Sequence, residues 1–131
     1  MENEMRDPYA DEARERWGHT DAYKESTRRA KQYKPDDWAK IKAEGESVEA
    51  GMAALLAAGE AADGAKAMDQ AERARLHIDR WFYPCSHTMH VGLADMYLAD
   101  ARFRAHYEER AAGLAAFVAA AIKANARRAV E

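Results

Sequence analysis

The sequence has one cysteine, Cys85, so no intrachain disulfide can form and a reducing compartment is expected. Three prolines and seven glycines leave little punctuation along the chain. Val, Ile and Thr are scarce beside Ala, Glu, Lys, Arg and Met, which favours helix and disfavours sheet. No block of one charge sign is present: 20 basic residues stand against 23 acidic ones, a formal charge of -3. Displacing counterions from a phosphate backbone needs a basic face, and the pairs Arg28-Arg29 and Arg127-Arg128 are too small to form one. Direct contact with nucleic acid is therefore not expected. Long apolar runs are also missing. The stretch Leu114 to Ile122 is about half of what a membrane span requires, and the charged start Met1 to Glu15 has no signal-peptide core. A cytoplasmic protein without membrane contact is the expectation.

What remains suits a single all-α domain spanning residues 1–131. Alanine accounts for 31 residues, so the core rests on a few bulky positions. Gly18 would stop a short helix from Tyr9 to Trp17. Thr20 suits the N-cap of a second helix to about Lys31. Pro35, followed by Asp36 and Asp37, opens a long helix ending at Gly59. On it Trp38, Ile41, Gly45, Val48, Met52 and Leu55 recur at helical spacing and form a seam for a partner helix. After the loop Glu60 to Gly64, a fourth helix carries Met68, Ala71, Ile78 and Phe82 and is broken by Pro84. A fifth begins near Ser86 and places Met89, Leu93, Met96 and Tyr97 together. Asp100 caps a short helix with Phe103 and Tyr107, and Gly113 separates it from the last helix, which carries Leu114, Phe117, Val118, Ala121 and Ile122. The helices before Pro35 have narrow apolar faces, and isolated short helices are marginal in water. Residues 9–33 are therefore expected to order conditionally, as a lid would.

The densest chemistry runs from His77 to His90. Cys85, His87 and His90 invite a metal reading, but structural zinc wants four ligands in paired spacings and no second pair occurs, so no metal site is assigned. Ser86-His87 and Cys85-His90 suggest nucleophile and base, yet no glycine elbow or oxyanion nest accompanies them. No enzymatic activity and no cofactor are assigned. The abundance of rings and methionines instead suits a hollow for a flat apolar ligand. Trp17, Trp81, Phe82, His87, Met89 and His90 are the leading candidates to line it. Trp38, His77, Tyr97 and Phe103 complete the candidate ligand-binding set, although Trp38, Tyr97 and Phe103, with Met68, Met96 and Phe117, suit the core better. The hollow is expected between the fourth and fifth helices and the long third one.

The runs FYPCS (82–86), MHVGLADMYLADARF (89–103) and GLAAFVAAAIKANA (113–126), preceded by RWGHTDAYKEST (16–27) and YKPDDWAKI (33–41), together resemble the TipAS family of antibiotic-recognition domains over residues 8–126. The resemblance implies a globin-like helical core without haem over residues 65–131, preceded by a mobile lid and long helix over 1–58. It further implies binding of large heteroaromatic peptide antibiotics such as thiopeptides, or of albicidin. The domain would serve as the sensor of a MerR-type transcription activator or as a stand-alone drug-sequestering protein; the winged-helix DNA-binding half of such activators is not in this sequence. One departure matters. The thiopeptide-binding member that defines the family captures a dehydroalanine of the drug with a cysteine just after its Met-His pair, and the matching position here, after Met89-His90-Val91, is Gly92. Cys85 matches the other cysteine of that member, which is not credited with the bond. Binding is expected to be reversible. The alternative reading is a protein-interaction module in which the seam from Trp38 to Leu55 makes a homodimer.

Overall fold

The computed structural model describes residues 20–130, and every regular element among them is an α-helix. They are α1 (Asp21–Ala30), α2 (Pro35–Ala57), α3 (Ala65–Trp81), α4 (His87–Ala99), α5 (Ala101–Arg110) and α6 (Leu114–Val130). The helix expected over 9–17, with Trp17, lies outside the described residues. Among the described residues no helix is long and apolar enough to cross a membrane.

The helix starts follow from local side-chain chemistry. Thr20 Oγ1 accepts from the Tyr23 N–H at 3.1 Å, Ser86 Oγ from the Met89 N–H at 3.1 Å, and Asp100 Oδ1 from the Arg102 N–H at 2.9 Å. Each supplies an acceptor to a first-turn donor that has no intrahelical partner. Asp100 also stands at the C-terminal end of α4, so one residue ends a helix and begins the next. At α2, Pro35 sits in the first turn and Asp37 Oδ2 accepts from the Lys34 N–H at 3.0 Å. The same helix ends in a Schellman motif: Glu60 N–H reaches Leu55 O at 3.0 Å and Gly59 N–H reaches Leu56 O at 3.1 Å, with Gly59 at φ 77. Glu108 ties α5 to α6. Its carboxylate accepts from the Gly113 and Ala115 N–H groups at 2.9 and 3.0 Å, and these two donors hold its carboxyl below the usual range.

The last helix is the spine. Leu114, Phe117, Val118, Ala121 and Ile122 of α6 are buried, and α6 packs on α4, α3, α5 and α2. Ala67 and Ala71 of α3 and Ala94 of α4 are fully buried beside them, which lets the backbones close up around a small core. From α2, Ile41, Val48 and Met52 are buried as well. The seam expected to pair with a second copy is thus covered within the chain at these positions. By contrast α1 has no fully buried side chain.

Candidate functional site

A groove of about 1070 Å³ lies between α1 and α4. Met89, Gly92, Leu93 and Met96 share one face of α4 by their spacing and form its floor. Ala22, Tyr23 and Ser26 of α1 form the opposite wall, Tyr83 lines it from the α3–α4 turn, and Thr20, Thr88, Asp95 and Asp100 add polar groups. Met89 is 37% exposed, a large apolar side chain left in water at the head of α4. Burial pushes the Tyr83 hydroxyl up to about 12, so it stays a donor at neutral pH. An apolar floor with a few polar groups is the usual make-up of a small-molecule site.

The wall formed by α1 is held by its C-terminal end. Arg29 Nη1 donates to the Asp79 and Arg80 carbonyl oxygens at 2.7 and 3.2 Å, where the α3 carbonyls carry the negative end of the helix dipole. The Tyr33 hydroxyl donates to Trp81 O at 2.6 Å. Tyr33 also meets Trp38 and Trp81 edge-on, with ring centroids 5.5 and 5.6 Å away. Glu44 joins the same cluster: its Oε1 accepts from Trp81 Nε1 at 3.1 Å and lies 2.6 Å from His77 Nδ1. His77, first, and Trp81 hold the Glu44 carboxyl below its usual range. Phe82 meets the His77 ring edge-on at 5.9 Å.

The residues singled out from the sequence therefore fall in different places. Met89 lines the groove. Trp38, His77, Trp81 and Phe82 form the aromatic cluster at the base of α1. His87 stands half-buried in the first turn of α4, 3.9 Å from Glu72 Oε1. His90 is buried in the interior, where desolvation, aided by Arg75 and His87, lowers its pKa to about 4. Tyr97 packs on Phe103 and Tyr107 with centroids 5.8 and 5.4 Å away. Trp17 lies outside the described residues. The space expected between α2, α3 and α4 is a cavity of about 190 Å³, and the larger hollow lies on another face of α4. Tyr23, Ser26, Tyr83, Leu93 and Met96 line that hollow without having been assigned to it from the sequence. Cys85 is buried; its N–H donates to Asp79 Oδ1 at 2.9 Å and burial pushes the thiol up to about 11. Among the described residues no three His, Cys, Asp or Glu side chains converge as metal ligands.

Fold and site together define an all-helical domain with a ligand-sized groove beneath a lightly packed helix. Residues 9–125 match the family model described as the TipAS antibiotic-recognition domain. The chain belongs to the TipAS family, and its all-helical architecture agrees with the globin-like arrangement the resemblance implied. It is 43% identical over 122 residues to the HTH-type transcriptional activator TipA of Streptomyces coelicolor, covering 93% of this chain and 48% of the relative. The HTH-type transcriptional activator mta of Bacillus subtilis is 34% identical over 119 residues, covering 91% of this chain and 45% of the relative. The chain thus spans about half the length of these curated relatives. Among solved structures, TipAS of Streptomyces lividans in complex with nosiheptide, from a thiopeptide antibiotic multidrug resistance system, superposes with TM-score 0.88 at 41% identity, covering 99% of this chain and 94% of that one. The antibiotic-binding domain of a TipA-class multidrug resistance transcriptional regulator matches with TM-score 0.65 at 40% identity, over 72% of this chain and all of that one.

Proposed function

We propose that the chain binds large heteroaromatic peptide-type antibiotics reversibly in the groove between α1 and α4, without catalysis. It would do so as the sensor of a MerR-type transcription activator or as a stand-alone drug-sequestering protein. The observation that carries this is the groove itself: about 1070 Å³, floored by Met89, Leu93 and Met96, and walled by a helix with no fully buried side chain. A helix of that kind gains its packing from a guest. Covering about 300 Å² of apolar surface at about 25 cal/mol per Å² contributes on the order of 7 kcal/mol, against the costs of association and of ordering the wall. The family match and the nosiheptide complex of a relative support the ligand class.

Met89, Leu93, Met96, Tyr23 and Tyr83 would touch the ligand, whereas Trp38, His77, Trp81 and Phe82 would position α1. Trp17 would complete the lid from the segment before Thr20. Reversibility rests on Gly92, which offers the ligand no nucleophile, and on the burial of the single thiol at Cys85. Occupancy would reach an attached DNA-binding half through the ordering of the lid, because an ordered lid presents a surface that the free state lacks. The test is a titration with thiopeptides followed by tryptophan fluorescence and circular dichroism. A saturable fluorescence change with gain of helix is expected for the wild-type chain, and its loss in Leu93→Asp. Saturable binding that survives Leu93→Asp undiminished, or no binding across a panel of peptide antibiotics, would overturn the assignment.

A further inference from the structure

One edge of the groove is rigid, whereas α1, the opposite wall, is lightly held. At the α3–α4 turn the Tyr83 N–H donates to Ile78 O at 3.2 Å, the Cys85 N–H to Asp79 Oδ1 at 2.9 Å, and Arg75 Nη1 to Cys85 O at 2.7 Å. Pro84, between the first two, has its φ locked by its ring. The backbone around Tyr83 is thus tied to α3 on both sides, and the Tyr83 side chain lines the groove beside Ser86, Thr88 and Met89. Its hydroxyl has no hydrogen-bond partner among the described residues. It is not sealed, as the unpartnered Nδ1 atoms of His87 and His90 are, and so stays open to a guest. Tyr23 brings a second phenol to the groove, but on α1, which has no fully buried side chain to hold it.

We propose that the Tyr83 hydroxyl determines specificity in the groove, given that the groove is the antibiotic site, by donating to an uncharged acceptor on the ligand: an azole nitrogen or an amide carbonyl. A phenol O–H is more acidic than the alkyl hydroxyls of Ser86 and Thr88, and is therefore the stronger donor and the weaker acceptor at this edge. Burial raises its pKa to about 12, so the proton stays in place at neutral pH. An uncharged acceptor is selected because no Lys or Arg lines the groove: a carboxylate guest would lose its water and find no counter-charge. Rigidity sharpens the choice, since a donor on a fixed backbone loses little conformational freedom on binding. Met89, three residues past Ser86, offers its polarizable thioether to the ring that carries the acceptor. One fixed donor facing an adaptable wall sets the register of the ligand: the acceptor seats at Tyr83, and the rest of the guest lies along Leu93 and Met96.

The test titrates the full chain with nosiheptide by calorimetry. Tyr83→Phe removes one oxygen and keeps the ring; it should bind about tenfold more weakly, the worth of one neutral hydrogen bond, with an unchanged melting temperature. Tyr23→Phe should lose clearly less. In wild-type protein carrying tyrosine labelled with carbon-13, Tyr83 Cζ should move downfield relative to the other carbons of its ring as nosiheptide saturates, the change expected of a phenol that donates. Wild-type affinity in Tyr83→Phe, an equal or larger loss in Tyr23→Phe, or a Tyr83 Cζ that stays put or moves upfield would each overturn the assignment. Leu93→Asp separates this contact from the groove itself. If Leu93→Asp abolishes nosiheptide binding while Tyr83→Phe binds as the wild type does, the groove stands as the site and the Tyr83 contact alone falls. Binding that survives Leu93→Asp, or none by the wild-type chain, would overturn both.

Discussion

At Gly92 the groove floor has room to spare: a Cβ built there meets no atom within 4 Å. Gly92→Cys should therefore fold, and replacing a mid-helix glycine by cysteine gains about a few tenths of a kcal/mol in helix propensity. Its thiolate would stand in the groove, unlike the buried Cys85. With a dehydroalanine-bearing thiopeptide, sulfur would add to the terminal alkene carbon and a proton to the α-carbon, forming a thioether with no leaving group. Intact-protein mass spectrometry under denaturing conditions should then show Gly92→Cys heavier by one whole ligand, and the wild type unshifted. A persistent adduct on the wild type would contradict reversible binding. The fate of individual side chains was the part least legible in the sequence. Met89 was readable as a residue left facing open space because a methionine at a helix start, beside other apolar residues, has little to cover it. The surroundings of Trp38 and Trp81 were not legible, because they depend on Tyr33, which arrives from another element.

Helix starts and stops were legible because capping is local chemistry. Thr20, Pro35, Ser86 and Asp100 each open the helix expected of them, and Gly59 and Gly113 take the positive φ that ends or separates helices. Helix α3 stops at Trp81, ahead of Pro84, which has no N–H to continue the ladder and steers Tyr83, the residue just before it, away from helical geometry. Spacing puts Met89, Leu93, Met96 and Tyr97 together, yet the first three line the groove while Tyr97 faces the interior. A helix apolar on more than one face has a second surface to cover, and here that surface is the groove. For α1 the consequence is measurable. Arg29→Ala removes the bonds to the α3 carbonyls but uncovers no buried side chain. Hydrogen exchange in residues 21–30 should accelerate and thiopeptide affinity should fall, while the melting temperature of the remaining helices moves by no more than a few degrees. An equal loss of protection in α6 would show instead that α1 belongs to the cooperative core.

For the whole molecule, acid is the informative perturbant. His90 is buried neutral with its pKa lowered to about 4, so the unfolded chain takes up its proton first. Stability from this group is complete above about pH 6.5 and declines as pH falls toward 4, by about 3 kcal/mol in all. Glu72 acts lower. Arg75 and Asn125 hold its carboxylate down to about 2, so its contribution is present above pH 4.5 and fades as pH falls through 2. Denaturant titrations should show two successive declines, the first flattened in His90→Leu and the second in Glu72→Gln. An unchanged first decline in His90→Leu would place its origin elsewhere. The bonds of Arg29 and Tyr33 gather at one end of α1, next to the close of α3. A wall held at one end would pivot there. If the groove takes guests, as proposed, guests of different thickness would be gripped by changing one angle, with the floor of α4 left as it is, and breadth of recognition would be set by the attachment of α1.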